Sequence, residues 1–178
     1  MRVLLLACLA LRSLADPQAD LFAAARSDDT AALAAALAAG ADKDARGSGG
    51  QTALMSASLS GSVKSVQYLL SQGASPHIGE DMGYTPLHGA GFQGRAAVAR
   101  VLLNAEGVPN TQHSDGFFAV HRALWGQEAR HTETVKVFLE NGDFGKLTAE
   151  GKSLLQVGSS NARTMQLLKD WSSAAEEL

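Results

Sequence analysis

The histidines are the first residues to weigh for chemistry. His88 and His121 stand 33 residues apart, and two imidazoles at related positions suggest a shared zinc ion. If they occupy the same place in successive structural units, however, helix packing keeps them about 8–10 Å apart, whereas zinc needs each ring nitrogen at about 2 Å. Each ring is therefore expected to bond the backbone of its own loop. His113, Ser114 and Asp115 form a polar triplet that could touch a cation at a turn, but three loop residues do not build a coordination sphere. The single thiol, Cys8, lies in a leading apolar segment. Glycine-rich phosphate loops, Gly-x-Ser-x-Gly nucleophile elbows and His-Glu-x-x-His zinc helices are all missing from the sequence. The reading assigns no catalytic, cofactor-binding or metal-ligating residue and no cofactor. A balance of 15 basic against 18 acidic side chains, net −3, argues against a bulk-charge grip on nucleic acid or anionic lipid.

The chain carries 46% hydrophobic and 19% charged residues, the profile of a globular protein. Residues 1–15 read as a signal peptide: Met1-Arg2 is a positive start, Val3 to Leu11 is an apolar run, and Ser13-Leu14-Ala15 sets small residues where a peptidase reads. The apolar run is too short to cross a bilayer, which takes about 20 residues, and no other segment approaches that length. The other reading is an apolar helix packed on the domain. Cleavage after Ala15 removes Cys8, Arg2 and Arg12, leaving a chain without cysteine whose formal charge is two units more negative.

Internal repetition dominates the rest. Leu21, Leu54, Leu87 and Val120 follow one another at steps of 33, as do Leu37, Leu70 and Leu103, and Gly40, Gly73 and Glu106. In the fourth copy Leu139 and Gly142 fall three residues late, which reads as an insertion in the interhelical turn at Gly126 to Arg130. A weaker copy begins near Leu155. Thr52 and Thr85 are expected to cap first helices through their hydroxyls, with Pro86 at a position where its missing N–H costs nothing. Ala57, Ala90 and Ala123 make a small-residue face for close approach, while Gly61 and Gly94 fall where a helix must end with positive φ.

The run Gly83-Tyr84-Thr85-Pro86-Leu87-His88-Gly89-Ala90, followed by Gly94 and Val101-Leu102-Leu103, closely resembles the ankyrin repeat, as does Gly50-Gln51-Thr52-Ala53-Leu54 with Gly61 and Tyr68-Leu69-Leu70. The resemblance implies an all-α ankyrin-repeat solenoid of stacked helix-turn-helix units with hairpin-like loops. The domain would fill residues 16–171, with units near 19–49, 50–82, 83–115 and 116–150, a degenerate cap at 151–171, and an acidic tail at 172–178.

The resemblance further implies a non-catalytic scaffold that binds a partner protein through its hairpin tips and concave first-helix face, without nucleic acid or membrane span. Tip positions are Arg46 and Ser48, then Glu80, Met82 and Tyr84, then His113, Ser114 and Phe117; helix positions are Ser56, Leu59, Gly89, Phe92, Arg122 and Trp125. Aromatic and arginine side chains anchor interfaces most often, so Arg46, Tyr84, Phe92, Phe117, Arg122 and Trp125 are the candidate protein-binding residues. Phe92 and Trp125 would alternatively pack under neighbouring loops. Ala175-Glu176-Glu177-Leu178 is similar to endoplasmic-reticulum retrieval tetrapeptides but lacks their basic first residue; a solvated helix end is the other explanation. Together with the leader it points to the secretory pathway, as a secreted or luminal effector or regulator of a client protein, and to the cytoplasm if residues 1–15 are no signal. Made in secretory cells with its own leader, the chain should begin at Asp16, as read by N-terminal sequencing; a product retaining Met1 would contradict the assignment.

Overall fold

The computed structural model describes residues 16–105, 112–141 and 153–176, and every regular element in them is helical. Residues 1–15 with Cys8, and Glu106, Gly142, Glu177 and Leu178, lie outside the described residues. Helices come in pairs: α1 (Pro17–Ser27) with α2 (Thr30–Ala38), α3 (Ala53–Ser60) with α4 (Val63–Ser71), α5 (Pro86–Phe92) with α6 (Ala96–Asn104), α7 (Ala119–Leu124) with α8 (Ala129–Glu140), and α9 (Leu154–Val157) with α10 (Ala162–Glu176). The starts of α3, α5 and α7 are 33 residues apart, and so are those of α4, α6 and α8.

First helices stack in the row α1, α3, α5, α7, and second helices in the row α2, α4, α6, α8, α10. The stacking face carries the repeated residues: Leu21, Leu54, Leu87 and Val120 are buried, with Ala24, Ala57, Ala90 and Ala123 beside them. Small side chains let the backbones close up. At the tightest point, a Cβ on Gly91 would stand 2.3 Å from the Ala119 carbonyl oxygen, so only glycine fits where α5 meets α7. Leu69 and Leu102 are buried between second helices, while Leu70 and Leu103 pack at the margin.

The caps follow the sequence with one change. Thr52 Oγ1 accepts from the Met55 N–H at 3.2 Å, and Pro86 takes the first turn of α5. Thr85 does not cap the backbone: its hydroxyl lies 2.8 Å from His88 Nδ1. His88 stands in the register of Met55, whose side chain has no ring nitrogen to engage the hydroxyl, and its Nδ1 captures the Thr85 oxygen. In α7, where Phe118 supplies no hydroxyl, His121 Nδ1 accepts from the Phe118 N–H at 3.2 Å. Gly61 and Gly94 end their helices with φ of 83° and 65°, as expected.

A second set of bonds ties each unit to the next. A helix leaves its last carbonyls unsatisfied, and here the following unit supplies the donors. Ser62 Oγ donates to Arg26 O at 2.9 Å, and Arg95 Nε donates to Leu59 O at 3.0 Å. The next residue in this register is Glu128, whose carboxylate has no proton to give. His131, one turn on, donates instead from Nε2 to Phe92 O at 3.2 Å.

The fourth unit corrects the expected insertion. Its second helix starts in step at Ala129, and the added length lies in the helix itself, 12 residues in α8 against 9 in α4 and α6. Val135 takes the place of Leu69 and Leu102, and the apolar stripe continues through a buried Phe138. Continued burial against α10 gives α8 a reason to run nearly one turn longer. His131→Ala should therefore lower stability by about 2 kcal/mol, roughly 4–8 °C in Tm for a domain of this size. Adding Glu128→Ser, which restores the Ser62 arrangement, should recover part of the loss in thermal melts; no recovery would show that the carbonyl bond is not the cause.

Candidate functional site: the hairpin tips and the concave groove

Three loops between units close into the same turn. In the first, the Gly47 N–H donates to Gln51 O at 2.8 Å and the Gly50 N–H to Gly47 O at 3.0 Å; Glu80 to Tyr84 and His113 to Phe117 repeat the pattern 33 residues on each time. Neighbouring tips are bonded together. The Asp81 N–H donates to Gly49 O at 3.1 Å while Arg46 pairs with the Asp81 carboxylate at 3.1 Å. His113 Nε2 donates to Met82 O at 2.7 Å.

Beneath the second and third tips lies a charged and aromatic cluster. The Arg122 Nη2 donates to the Asp115 carboxylate and to Tyr84 Oη, the latter at 3.1 Å. Its guanidinium carbon stands 4.6 Å from the centre of the Trp125 ring, 4.7 Å from Tyr84 and 5.5 Å from Phe117. The cation is thus held by aromatic faces as well as by a carboxylate. Its Nε is buried and bonds no group among the described residues. The Tyr84 and His113 rings stack at 3.9 Å, and Phe117 meets Trp125 edge-on at 5.1 Å. His113 Nδ1 lies 2.9 Å from the Asp115 carboxylate; in the neutral ring it accepts the Asp115 N–H at 3.3 Å.

These contacts set the ionisation of the cluster. Desolvation raises the Asp115 carboxyl, but bonds from Arg122, from His113 when its ring is protonated, and from the Phe117 N–H outweigh it and hold the group well below the usual carboxylate range. Burial pushes His88 down to about 4, helped by His113 and Arg122 and opposed by the backbone of Phe117. His121 is likewise pushed down to about 4, by burial first and Arg122 second. Both rings are neutral at physiological pH. Burial raises the Tyr84 hydroxyl; Arg122 counters the rise and Asp115 adds to it.

Next to the cluster, on the inner face of α3 and α5, runs a groove of about 290 Å³ walled by Met55, Leu59, Met82 and Phe92 and edged by Gln51, Glu80, Tyr84, His88, Gly89 and Arg122. Its floor exists because position 89 has no side chain. A Cβ there would lie 3.1 Å from Met55 Sδ and 3.2 Å from Leu59 Cδ2.

The candidate residues separate accordingly. Tyr84, Phe117, Arg122 and Trp125 meet in the cluster. Phe92 lines the groove, and Arg46 is exposed at the first tip, tied to Asp81. Arg122 was expected at an exposed helix position but is only 7% exposed, because Asp115 and three rings enclose it; Ser56 and Gly89 are buried too. Phe92 and Trp125 do not tuck under loops, being 59% and 43% exposed, and Met82 is 69% exposed. Sequence reasoning missed Met55, although it stands in the register of His88 and His121. It also missed Asp115 as the partner of Arg122, for which no repeated signal existed. Among the described residues no three His, Cys, Asp or Glu side chains gather to hold a metal ion, and no helix is long and apolar enough to cross a membrane.

The two buried histidines impose a pH dependence. With folded values near 4 against an ordinary 6.5, the unfolded chain binds more protons between these limits, so stability must fall as pH drops from 6.5 toward 4. Each ring contributes at most about 3 kcal/mol to the fall. Urea unfolding at pH 7, 5.5 and 4 should show it, and His121→Gln should remove about half of the slope; Asp115 contributes only at lower pH, below its ordinary value of 3.8.

No curated protein matches the chain. A family model described as ankyrin repeats, in three copies, matches residues 21–113, more than half of the 178 residues and the segment that holds the first two tips and the groove-forming helices α3 and α5. The chain belongs to the ankyrin-repeat family.

Proposed function

We propose that the chain is a non-catalytic scaffold that holds a partner protein along its hairpin tips and the concave face of α3, α5 and α7. Ankyrin repeats are generally protein–protein interaction modules, and the observation that carries the reading is the placement of Met82, Phe92 and Trp125. These large apolar side chains are exposed, and among the described residues the one other exposed large apolar side chain is Leu155, in the terminal unit. Exposed apolar side chains gathered beside a groove are characteristic of interaction sites. They stand on a rigid base, since the tips are bonded to one another and Arg122 is fixed by Asp115 and Tyr84. A preformed surface loses little entropy on binding.

Tyr84 and Arg122 in this reading support the surface, while Phe92, Met82 and Trp125 contact the partner. The leader-like residues 1–15 favour action in the secretory pathway, where the partner would be a luminal or extracellular client. Phe92→Asp and Met82→Ser should leave Tm within about 2 °C, because both side chains are exposed. Each should reduce partner recovery at least tenfold when proximity labelling is performed with both native chain ends retained. Unchanged recovery with both substitutions would refute the proposal.

A further inference from the structure

We propose that the groove between α3 and α5 accepts a basic apolar segment of the partner: a peptide stretch with one or two large apolar side chains next to a lysine or arginine. The proposal rests on the scaffold reading above and specifies the chemistry of what is bound. The groove's size sets the first condition. At about 290 Å³ it lies at the bottom of the range for small-molecule and cofactor sites, room for a side chain or two. Its walls of Met55, Leu59, Met82 and Phe92 select apolar groups, and methionine walls adapt to the shape of what enters.

Charge sets the second condition. Of three carboxylates at the second and third tips, two are already matched, Asp81 by Arg46 and Asp115 by Arg122. Glu80 has no cation within 4.0 Å among the described residues. One of its oxygens accepts the Met82 and Tyr84 N–H groups at 3.0 and 3.3 Å, which fixes the carboxylate at the groove rim and leaves the other oxygen free. The groove's own cation offers little to an acidic ligand, since Asp115 already occupies it and Glu80 would repel the newcomer. A lysine or arginine here meets Glu80 and can rest on the exposed Phe92 ring.

The test is selection of displayed random dodecapeptides on the full chain, with counter-selection on Phe92→Asp. Groove-dependent peptides should combine large apolar residues with lysine or arginine. Glu80→Gln keeps a carbonyl oxygen for the Met82 and Tyr84 N–H groups. It should weaken a selected peptide about threefold at low salt and flatten its salt dependence. Replacing the peptide's lysine by norleucine should cost at least as much on the natural protein and clearly less on Glu80→Gln, as required of a directly coupled pair. Groove-dependent peptides without basic residues, or additive losses in that cycle, would overturn the basic-segment proposal and leave the scaffold reading standing. Failure to obtain any groove-dependent peptide would count against both.

Discussion

No unit of this chain can complete itself. The stacking face of each first helix is an apolar and alanine strip that neighbouring units cover, and the carbonyls of Arg26, Leu59 and Phe92, at the ends of α1, α3 and α5, are bonded by Ser62, Arg95 and His131 from the next unit. Everything else depends on this mutual completion. Small residues at the stacking face bring neighbouring backbones close enough for the carbonyl bonds, and the bonds set the stagger that brings successive tips side by side. Once there, the Asp81 N–H finds Gly49 O and His113 finds Met82 O.

The groove is a local exception within that regularity. Ser56, Gly89 and Arg122 occupy one register position in three successive units, and their sizes shape the concave face. Glycine opens the floor between Met55 and Leu59, and arginine one unit on closes the end. A repeated backbone therefore yields a site that is not repeated, and the difference lies in side-chain volume at a single place in the repeat.

Much of this was legible in the residues. The step of 33, the Thr-Pro start, the apolar positions and the turn glycines all report backbone needs that recur in every unit, so repetition makes them readable. What was misread is what happens once. Arg122 looked like an exposed anchor, because nothing in its own unit reveals that Asp115, seven residues earlier, would fold back onto it. Thr85 looked like a backbone cap until a histidine in the adjoining turn took its hydroxyl. The late Leu139 suggested an insertion between helices, but α8 keeps its start and absorbs the difference by running on. Pairings between particular side chains leave no periodic trace.

The carbonyl bonds between units also bear on how the molecule would respond to force. Each one crosses a single boundary, and the helix contacts likewise join neighbours in the row. Tension applied along the row meets these boundaries in series, so rupture would proceed boundary by boundary and not in one event. The boundary between α5 and α7 carries the most reinforcement, combining the Gly91 contact, the Tyr84–Arg122–Asp115 bonds and the stacked His113 ring. Under load it would act as the clasp that holds when the ends have opened.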